Sequence, residues 1–119
     1  MTKQLTLEEM QDIIKEFCDD RDWEQYHNPK DLAIGMSTEA NELLDLFRFK
    51  NEEEAKLVIQ DKHTDVAEEL IDVIYFALRF AQMNQIDITE EFYKKMKKNE
   101  MKYPKDLVKG KNQKYNEYK

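Results

Sequence analysis

Hydrophobic positions recur at helical spacing through most of the chain. The first stripe of this kind consists of Leu7, Met10, Ile14 and Phe17. A residue every three or four positions marks one face of a helix. Thr6 and Glu9 match the Thr-x-x-Glu capping box, so this helix is predicted to begin after Thr6 and to end near Asp19 or Asp20. Residues 21–28 lack a helical period and are predicted to form an aromatic-rich loop.

A second and a third helix follow from their start signals. Asn28-Pro29 predicts a helix start, because Asn is a favoured cap and proline suits the first helical position. Its apolar stripe is Leu32, Met36, Ala40, Leu43 and Phe47. The pattern indicates a helix running to about Phe49. Asn51, followed by glutamates up to Glu54, predicts the cap of a short third helix.

The fourth predicted helix runs from about His63 to Met83. Its segment 70–81 is apolar on nearly every face, and it contains no glycine or proline that would favour a strand. A helix that is apolar all round is normally buried on all sides. We therefore expect a central helix that is covered in part by another subunit.

The end of the chain holds one more helix and a tail. Asp87 or Thr89 is expected to cap a fifth helix, which Pro104 stops. Residues 105–119 are rich in Lys, Asn and Tyr and have no period. The predicted organisation is one helical domain, 1–104, followed by a C-terminal tail, 105–119.

Composition supports this all-α picture. The 119 residues include only two glycines and two prolines, so tight turns account for little of the chain. Hydrophobic residues make up 40% and charged residues 38%. So small and charged a domain has a marginal core. The predicted fold is an all-α bundle of four to five helices whose core is completed by oligomerisation.

The net charge and the cysteine content limit the binding partners and the cellular location that we expect for the protein. The net charge of −7 argues against binding to a nucleic acid polymer through a basic surface. No signal-peptide pattern and no charge-free stretch of membrane-spanning length is present, so we expect no membrane partner. Cys18 is the only cysteine, as expected of a cytoplasmic protein without disulfides.

Two pairs of acidic residues are the main candidates for a functional site. Glu39-x-x-Glu42 lies on the second predicted helix and Glu69-x-x-Asp72 on the fourth. A spacing of three places both acids of each pair on one helix face. Asp72 interrupts the longest apolar run, where a charge is costly unless it is compensated. The plain alternatives are a solvated face for the glutamates and a pairing of Asp72 with Arg79 or a lysine.

A divalent cation would relieve the repulsion among the four acids. Carboxylate oxygens suit hard ions, so Mg²⁺ is expected, with Mn²⁺ as the alternative. Because Mg²⁺ commonly completes its coordination with substrate phosphates, a polyphosphate substrate follows. A di-iron site is disfavoured, since its Glu-x-x-His spacing occurs once, at Glu24 and His27, in a predicted loop.

The chain resembles the MazG-like all-α nucleoside triphosphate pyrophosphohydrolases, and within them the dCTP pyrophosphatase branch. The resemblance rests on the two acid pairs, which are separated by 26 residues, and on their surroundings. The matching segments are 21–29, 39–50, 68–73 and 95–104. All four in this order are far more specific than the acid pairs alone.

The resemblance implies hydrolysis of a (deoxy)nucleoside triphosphate to its monophosphate and pyrophosphate, as part of nucleotide-pool house-cleaning. It assigns catalysis and Mg²⁺ binding to Glu39, Glu42, Glu69 and Asp72. It implies a homodimer or homotetramer. It also implies a substrate site formed by Trp23, His27, Phe49, Phe76, Lys98, Asn99 and Tyr103. In this family a Trp is expected at Phe49 and a Tyr at Phe76, and both replacements keep a stacking surface.

The predicted reaction is attack of water on the α-phosphorus, with one of the four acids or Glu68 as base. Two rivals stay open within the superfamily, a dUTPase-like enzyme and a phosphoribosyl-ATP pyrophosphohydrolase. Outside this class, the rivals are a helical module that binds metal or nucleotide without turnover, and an acidic bundle without any ligand.

Overall fold

A computed structural model describes residues 2–112 of the chain. This range forms α1 (Leu7–Asp20), a 3₁₀ turn (Glu24–Tyr26), α2 (Pro29–Asp45), α3 (Glu52–Asp61), α4 (His63–Met83), α5 (Ile88–Lys102) and α6 (Lys105–Val108). Every regular element in this range is helical, which confirms the predicted all-α class. The last part of the predicted tail, 113–119, lies outside the described residues.

The helices begin where the local sequence provides a cap. The Thr6 hydroxyl accepts a hydrogen bond from the Glu9 N–H at 3.1 Å, and the Glu9 carboxylate accepts one from the Thr6 N–H at 2.9 Å. Asn51 and Glu54 repeat this reciprocal box at the start of α3. Asn28 caps α2 through the N–H of Asp31. Each cap stabilises its helix by about 1 kcal/mol, and the predicted starts of these helices are confirmed.

The end of α2 differs from the prediction. The helix ends at Asp45 instead of near Phe49, and residues 46–49 form tight turns. Phe49 has a φ of 62°, a left-handed conformation that cannot continue a right-handed helix. Two other segments predicted to be irregular contain single helical turns, at 24–26 and at 105–108.

The chain divides between Gln85 and Ile86 into two compact units. In the first unit, α4 packs against α1, α2 and α3, and its widest contact is with α2. The fully enclosed apolar side chains of the described residues all lie here: Cys18, Leu32, Val58, Leu78 and Ala81. The predicted central position of α4 is therefore correct within this unit.

Within the single chain, α4 is not buried on all sides, and the expected cover by another subunit stays a prediction. Leu70 and Ile71 keep 46% and 59% of their surface exposed, and Ile74 keeps 36%. The neighbouring helices enclose Leu78 and Ala81 near the end of α4 but leave this apolar face uncovered. None of the helices within residues 2–112 is long and apolar enough to span a membrane.

The second unit contains α5 and α6. Asp87 caps α5 by accepting a hydrogen bond from the Glu90 N–H at 3.1 Å, which settles the predicted choice between Asp87 and Thr89. Large apolar side chains on α5 are exposed, including Phe92 at 61% and Met101 at 76%. Within its described residues, this unit has no enclosed core of its own.

A glycine allows α2 and α4 to approach closely. A Cβ atom at Gly35 would lie 2.4 Å from Cε1 of Phe76 and 2.7 Å from Cζ. Such distances are well inside van der Waals contact, so any side chain at this position would displace the aromatic ring. Gly35 is thus the point on α2 where the ring of α4 packs directly onto backbone.

We predict that Gly35→Ala lowers the free energy of unfolding by about 1 kcal/mol. Overpacking against Phe76 costs roughly 1–3 kcal/mol, and the higher helix propensity of alanine offsets up to about 1 kcal/mol. Urea denaturation measures the change. Gly35→Ala combined with Phe76→Leu should recover the loss, because the smaller side chain makes room for the methyl group. A Gly35→Ala variant more stable than the natural protein would contradict the close approach.

Candidate metal centre

The two acid pairs face each other across the α2–α4 interface. One carboxylate oxygen from each of Glu39, Glu69 and Asp72 lies within 4.8 Å of the other two. Glu42 interacts with both Glu39 and Glu69. The structure therefore brings together all four acids that the sequence analysis singled out.

The antiparallel register of α2 and α4 explains this convergence. Gly35 lies against Phe76, and four residues further along α2 Glu39 meets Asp72, four residues back along α4. A step of three more residues reaches Glu42 on α2 and Glu69 on α4. Because each step is close to one helical turn, the acids remain on the facing sides of both helices.

Crowding raises the pKa of two of the carboxyl groups. The pKa of Glu39 is raised from 4.5 to about 7, first because its carboxyl can share a hydrogen bond with Glu42. Burial and the negative charges of the other acids raise it further. The pKa of Glu69 is also raised, chiefly by burial and then by Glu42. The cluster thus resists full ionisation near neutral pH.

Two carboxylate oxygens in the cluster lack a hydrogen-bond partner within the described residues. Oε2 of Glu39 and Oε2 of Glu69 are buried without a hydrogen-bond partner among the described residues. Within the same residues, no lysine or arginine forms an ion pair with any of the four acids. Buried carboxylate oxygens that are close together and lack cationic partners are a donor set that fits a hard divalent ion such as Mg²⁺.

The alternative pairing of Asp72 with Arg79 is wrong. Seven residues of helix separate their backbones by about 10 Å along the axis. Arg79 instead donates from Nε to Nδ1 of His27 at 2.9 Å and from Nη1 to Oε1 of Gln82 at 2.7 Å. Asp72 is exposed at the site rather than enclosed in the core. Glu68 lies in the same surface depression as Asp72.

The aromatic loop forms a small cluster of rings beside α1. Trp23 lies with its ring centroid 5.5 Å from that of Phe17 and 6.4 Å from that of His27, both in edge-to-face geometry. Trp23 keeps 39% of its surface exposed, so one side of the indole is accessible. Burial lowers the pKa of His27, and the charge of Arg79 lowers it further. Near neutral pH, His27 is therefore uncharged.

Phe49 and Phe76 occupy different environments. Phe49 is 91% exposed, and the guanidinium carbon of Arg48 lies 4.8 Å from its ring centroid. Phe76 packs on Gly35 and lies edge-to-face with Tyr75 at 5.1 Å. The ring of Phe49 is thus free to contact a ligand, whereas Phe76 belongs mainly to the interface between α2 and α4.

The remaining predicted substrate residues lie in the second unit. Lys98 lines an open groove on α5. The amide Nδ2 of Asn99 lies 3.8 Å from Sδ of Met96. Tyr103 follows α5, and its N–H donates to the carbonyl of Asn99 at 2.8 Å. Their assignment to the substrate stays a prediction.

The sequence analysis missed one buried polar network. Gln82 donates from Nε2 to the carbonyl of Gln11 at 3.0 Å, and Gln11 donates from its own Nε2 to the carbonyl of Leu78 at 2.9 Å. Together with Arg79 and His27, these side chains connect α1, α4 and the aromatic loop. The signal that could have indicated it is the charged Arg79 within the apolar part of α4.

An all-α fold with four converging carboxylates at a helix interface defines a class of helical protein with an acidic candidate metal site. Comparison with known proteins specifies the family. The pattern of the MazG-like family matches residues 34–118. This match covers most of the chain, which therefore belongs to the MazG-like family, as the sequence analysis predicted.

Two animal proteins and one archaeal structure are similar to the chain. dCTP pyrophosphatase 1 from Mus musculus is 32% identical over 112 residues, and the Homo sapiens protein of that name is 32% identical over 114 residues. These matches cover 92% and 94% of this chain but only 66% and 67% of the relatives. The chain thus spans about two thirds of the length of these relatives.

A crystal structure of a pyrophosphatase from Archaeoglobus fulgidus superimposes with a TM-score of 0.80. The two sequences are 37% identical, and the match covers 87% of this chain and 97% of the archaeal one. All three similar proteins carry the pyrophosphatase name that the family resemblance led us to expect.

The acid cluster predicts a stability that depends on pH and metal. Because the pKa of Glu39 is raised by folding, its contribution to stability is present below pH 4.5 and is lost as the pH rises through about 7. Metal-free protein should lose roughly 5 °C in Tm over this interval. Saturating Mg²⁺ should raise Tm at pH 7.5, since an ion held by the folded cluster stabilises the folded state by mass action. Differential scanning fluorimetry with and without a chelator measures both effects.

The control for this prediction is Glu39→Gln, which removes one charge from the cluster. Its metal-free Tm should be higher at pH 7.5 than that of the natural protein, and its response to Mg²⁺ should be weaker. A metal-free Tm that stays constant from pH 4.5 to 7.5, together with no effect of Mg²⁺, would rule out the repulsion described above.

Proposed function

We propose that the chain hydrolyses nucleoside triphosphates to monophosphate and pyrophosphate in the presence of Mg²⁺, with dCTP as the first candidate substrate. The observation that carries this proposal is the convergence of four acids with two buried, unpartnered oxygens. The names of the similar proteins support the same reaction, and two of them specify dCTP.

In this proposal, Glu39, Glu42, Glu69 and Asp72 hold the metal ion. When bound, Mg²⁺ supplies positive charge that polarises the substrate phosphate and lowers the pKa of water. The buried oxygens of Glu39 and Glu69 then gain the partner they lack within the described residues. Mn²⁺, which also prefers oxygen ligands, is the expected substitute.

The proposed bond cleavage occurs at the α-phosphorus. Water adds its oxygen to this phosphorus, and the bond to the oxygen that bridges to the β-phosphorus breaks. The bridging oxygen leaves with pyrophosphate, and the proton lost by water passes to a carboxylate of the cluster or to Glu68. Glu68 is exposed beside Asp72, in a position where it can accept a proton without being a metal ligand.

The accessible rings are proposed to bind the base. Trp23 and Phe49 have exposed faces, and every nucleobase can stack on an aromatic ring. Phe76 is proposed to support the wall of this pocket from the helix interface. Lys98, Asn99 and Tyr103 are proposed to approach the phosphates or the sugar, and they act either within one chain or from a neighbouring copy.

A homodimer or homotetramer forms part of the proposal. Ile71 and Ile74 of α4 lie beside apolar side chains of α1, and together they line an apolar groove of about 210 Å³. The exposed apolar side chains on this part of α1 and α4 are Ile13, Leu70, Ile71 and Ile74. Their burial against a second copy would complete the small core.

The first experiment is incubation of the purified protein with Mg²⁺ and each common dNTP, followed by separation of the products. We expect monophosphate and pyrophosphate, with dCTP cleaved fastest. Diphosphate with orthophosphate would place the attack at a different phosphorus and contradict the proposal. Binding without any product would support the module that binds nucleotide without turnover.

Variants of the acids test the site. Glu39→Gln and Asp72→Asn should lower kcat about a hundredfold or more, the loss seen when a group that stabilises the transition state is removed. Both should fold, because the substitutions reduce repulsion. The matched control is Glu53→Gln on α3, an exposed acid that lies within 3.9 Å of Lys56. It should leave kcat unchanged, and near-normal activity of Asp72→Asn would refute the assignment.

A further inference from the structure

Arg79 carries a buried charge with no carboxylate partner within the described residues. Only 1% of its surface is exposed, and it is among the largest fully buried side chains. Nε donates to Nδ1 of His27 and Nη1 donates to Oε1 of Gln82, whereas Nη2 is buried without a partner in residues 2–112. A buried charge in proteins is normally paired with an opposite charge.

Stability is a weak explanation for this arrangement. Replacing buried ionic groups by apolar side chains of similar volume is often neutral or stabilising. Here the arginine is also held in place by a chain of amides, since Gln82 donates to the carbonyl of Gln11 and Gln11 donates to that of Leu78. The fold therefore fixes the direction in which the guanidinium donates.

The chemistry of the two side chains determines the proton on His27. A guanidinium can only donate, so Nδ1 of His27 must supply a lone pair. A neutral imidazole whose Nδ1 accepts carries its proton on Nε2. The other polar atom of the ring is then an N–H donor, and a ligand that contacts it must provide an acceptor.

We propose that Arg79 is a positioning residue that holds His27 as the Nε2–H tautomer, so that His27 donates a hydrogen bond to an acceptor on the nucleobase. The class of the ligand rests on the proposed function; the tautomer rests on the contacts alone. The ring of Trp23 beside His27 favours the base over the phosphates, because the exposed indole provides a surface for stacking.

The lowered pKa of His27 supports this arrangement. Burial and the charge of Arg79 both disfavour the imidazolium, so the ring stays neutral at physiological pH. A charged ring would have two donors and would face Arg79 with an N–H, which the observed contact does not allow.

The first test is the tautomer in the natural protein, measured from ¹⁵N chemical shifts and two-bond couplings at pH 7. Only His27 and His63 contribute, and His63→Gln assigns the signals. We expect protonation at Nε2 of His27. Protonation at Nδ1 would overturn the inference. This measurement needs no substrate, so it decides the tautomer even if the protein proves to hydrolyse no nucleotide.

The second test compares two replacements of His27. The side-chain carbonyl that His27→Asn introduces lies near the former Nδ1, so it keeps an acceptor for Arg79 but offers no donor at the position of Nε2. His27→Gln places its amide near Nε2 and leaves Arg79 without its acceptor. We expect His27→Asn to preserve Tm and to weaken dCTP and dCMP binding about tenfold, the value of one hydrogen bond. His27→Gln should bind better but be less stable.

A third ligand, tripolyphosphate, shows whether His27 donates to the base or to the phosphates. Tripolyphosphate, which has no base, should bind His27→Asn as well as it binds the natural protein. An equal loss for tripolyphosphate would mean that His27 contacts the phosphates and would contradict the base contact. Equal dCTP affinity of the natural protein and both His27 variants would overturn the proposal in the same way.

The role of Arg79 is tested by Arg79→Met, which keeps the volume and removes the donor. We expect a mixture of His27 tautomers and a KM for dCTP that rises by the inverse of the fraction left as Nε2–H, about twofold for an equal mixture, while kcat changes less. Combined with His27→Asn it should cause no further loss in affinity, since both changes remove the same hydrogen bond. An unchanged tautomer, or fully additive losses, would overturn the positioning role. If Arg79→Met does not fold, the tautomer in the natural protein and the His27 pair still decide the question.

Discussion

The packing of α2 on α4 determines where the chemistry of this protein can occur. Gly35 lets the ring of Phe76 lie directly on the backbone of α2, and the antiparallel register then aligns Glu39 with Asp72 one turn away. A shift of one residue along either helix would turn one acid pair away from the other by about 100°. The close approach of two helices therefore brings four acids together and raises the pKa of Glu39 and of Glu69.

Two conflicts of charge are resolved in different ways within the same helix. At one end of α4, Glu69 and Asp72 meet acids of α2, and the donor set is suited to a cation that comes from solution. Near the other end, Arg79 is enclosed and faces a neutral ring instead of a carboxylate. In the proposals above, the first arrangement makes the site dependent on a metal ion, whereas the second makes it dependent on the proton position of a single histidine.

The local parts of this structure could be predicted from the sequence. Capping signals act within three residues, so Thr6, Asn28 and Asn51 mark the helix starts correctly. The acid pairs are also local, because a spacing of three sets the face of a helix. The convergence of the pairs was inferred from two matched acid pairs on two apolar helices, and the resemblance to a family supported it, since no local pattern specifies which helices become neighbours.

Long-range contacts and left-handed backbone conformations could not be predicted from the sequence. Arg79 and His27 are 52 residues apart, and nothing in either segment indicates the other. The sequence analysis gave Arg79 or a lysine as a possible partner of Asp72, yet two helical turns separate Asp72 from Arg79. α2 ends at Asp45, and Phe49 beyond it has a left-handed backbone that aromatic residues seldom adopt, which no periodic pattern indicates.

The same left-handed conformation recurs where two other helices end. Asp22 follows α1 with a φ of 54° and Gln85 follows α4 with a φ of 52°, where most proteins would use glycine. Each such residue costs on the order of 1 kcal/mol relative to glycine. The chain contains only two glycines, and neither of them occupies these two left-handed positions. Replacing these helix-end residues by glycine would therefore stabilise the fold without changing the core or the acidic site.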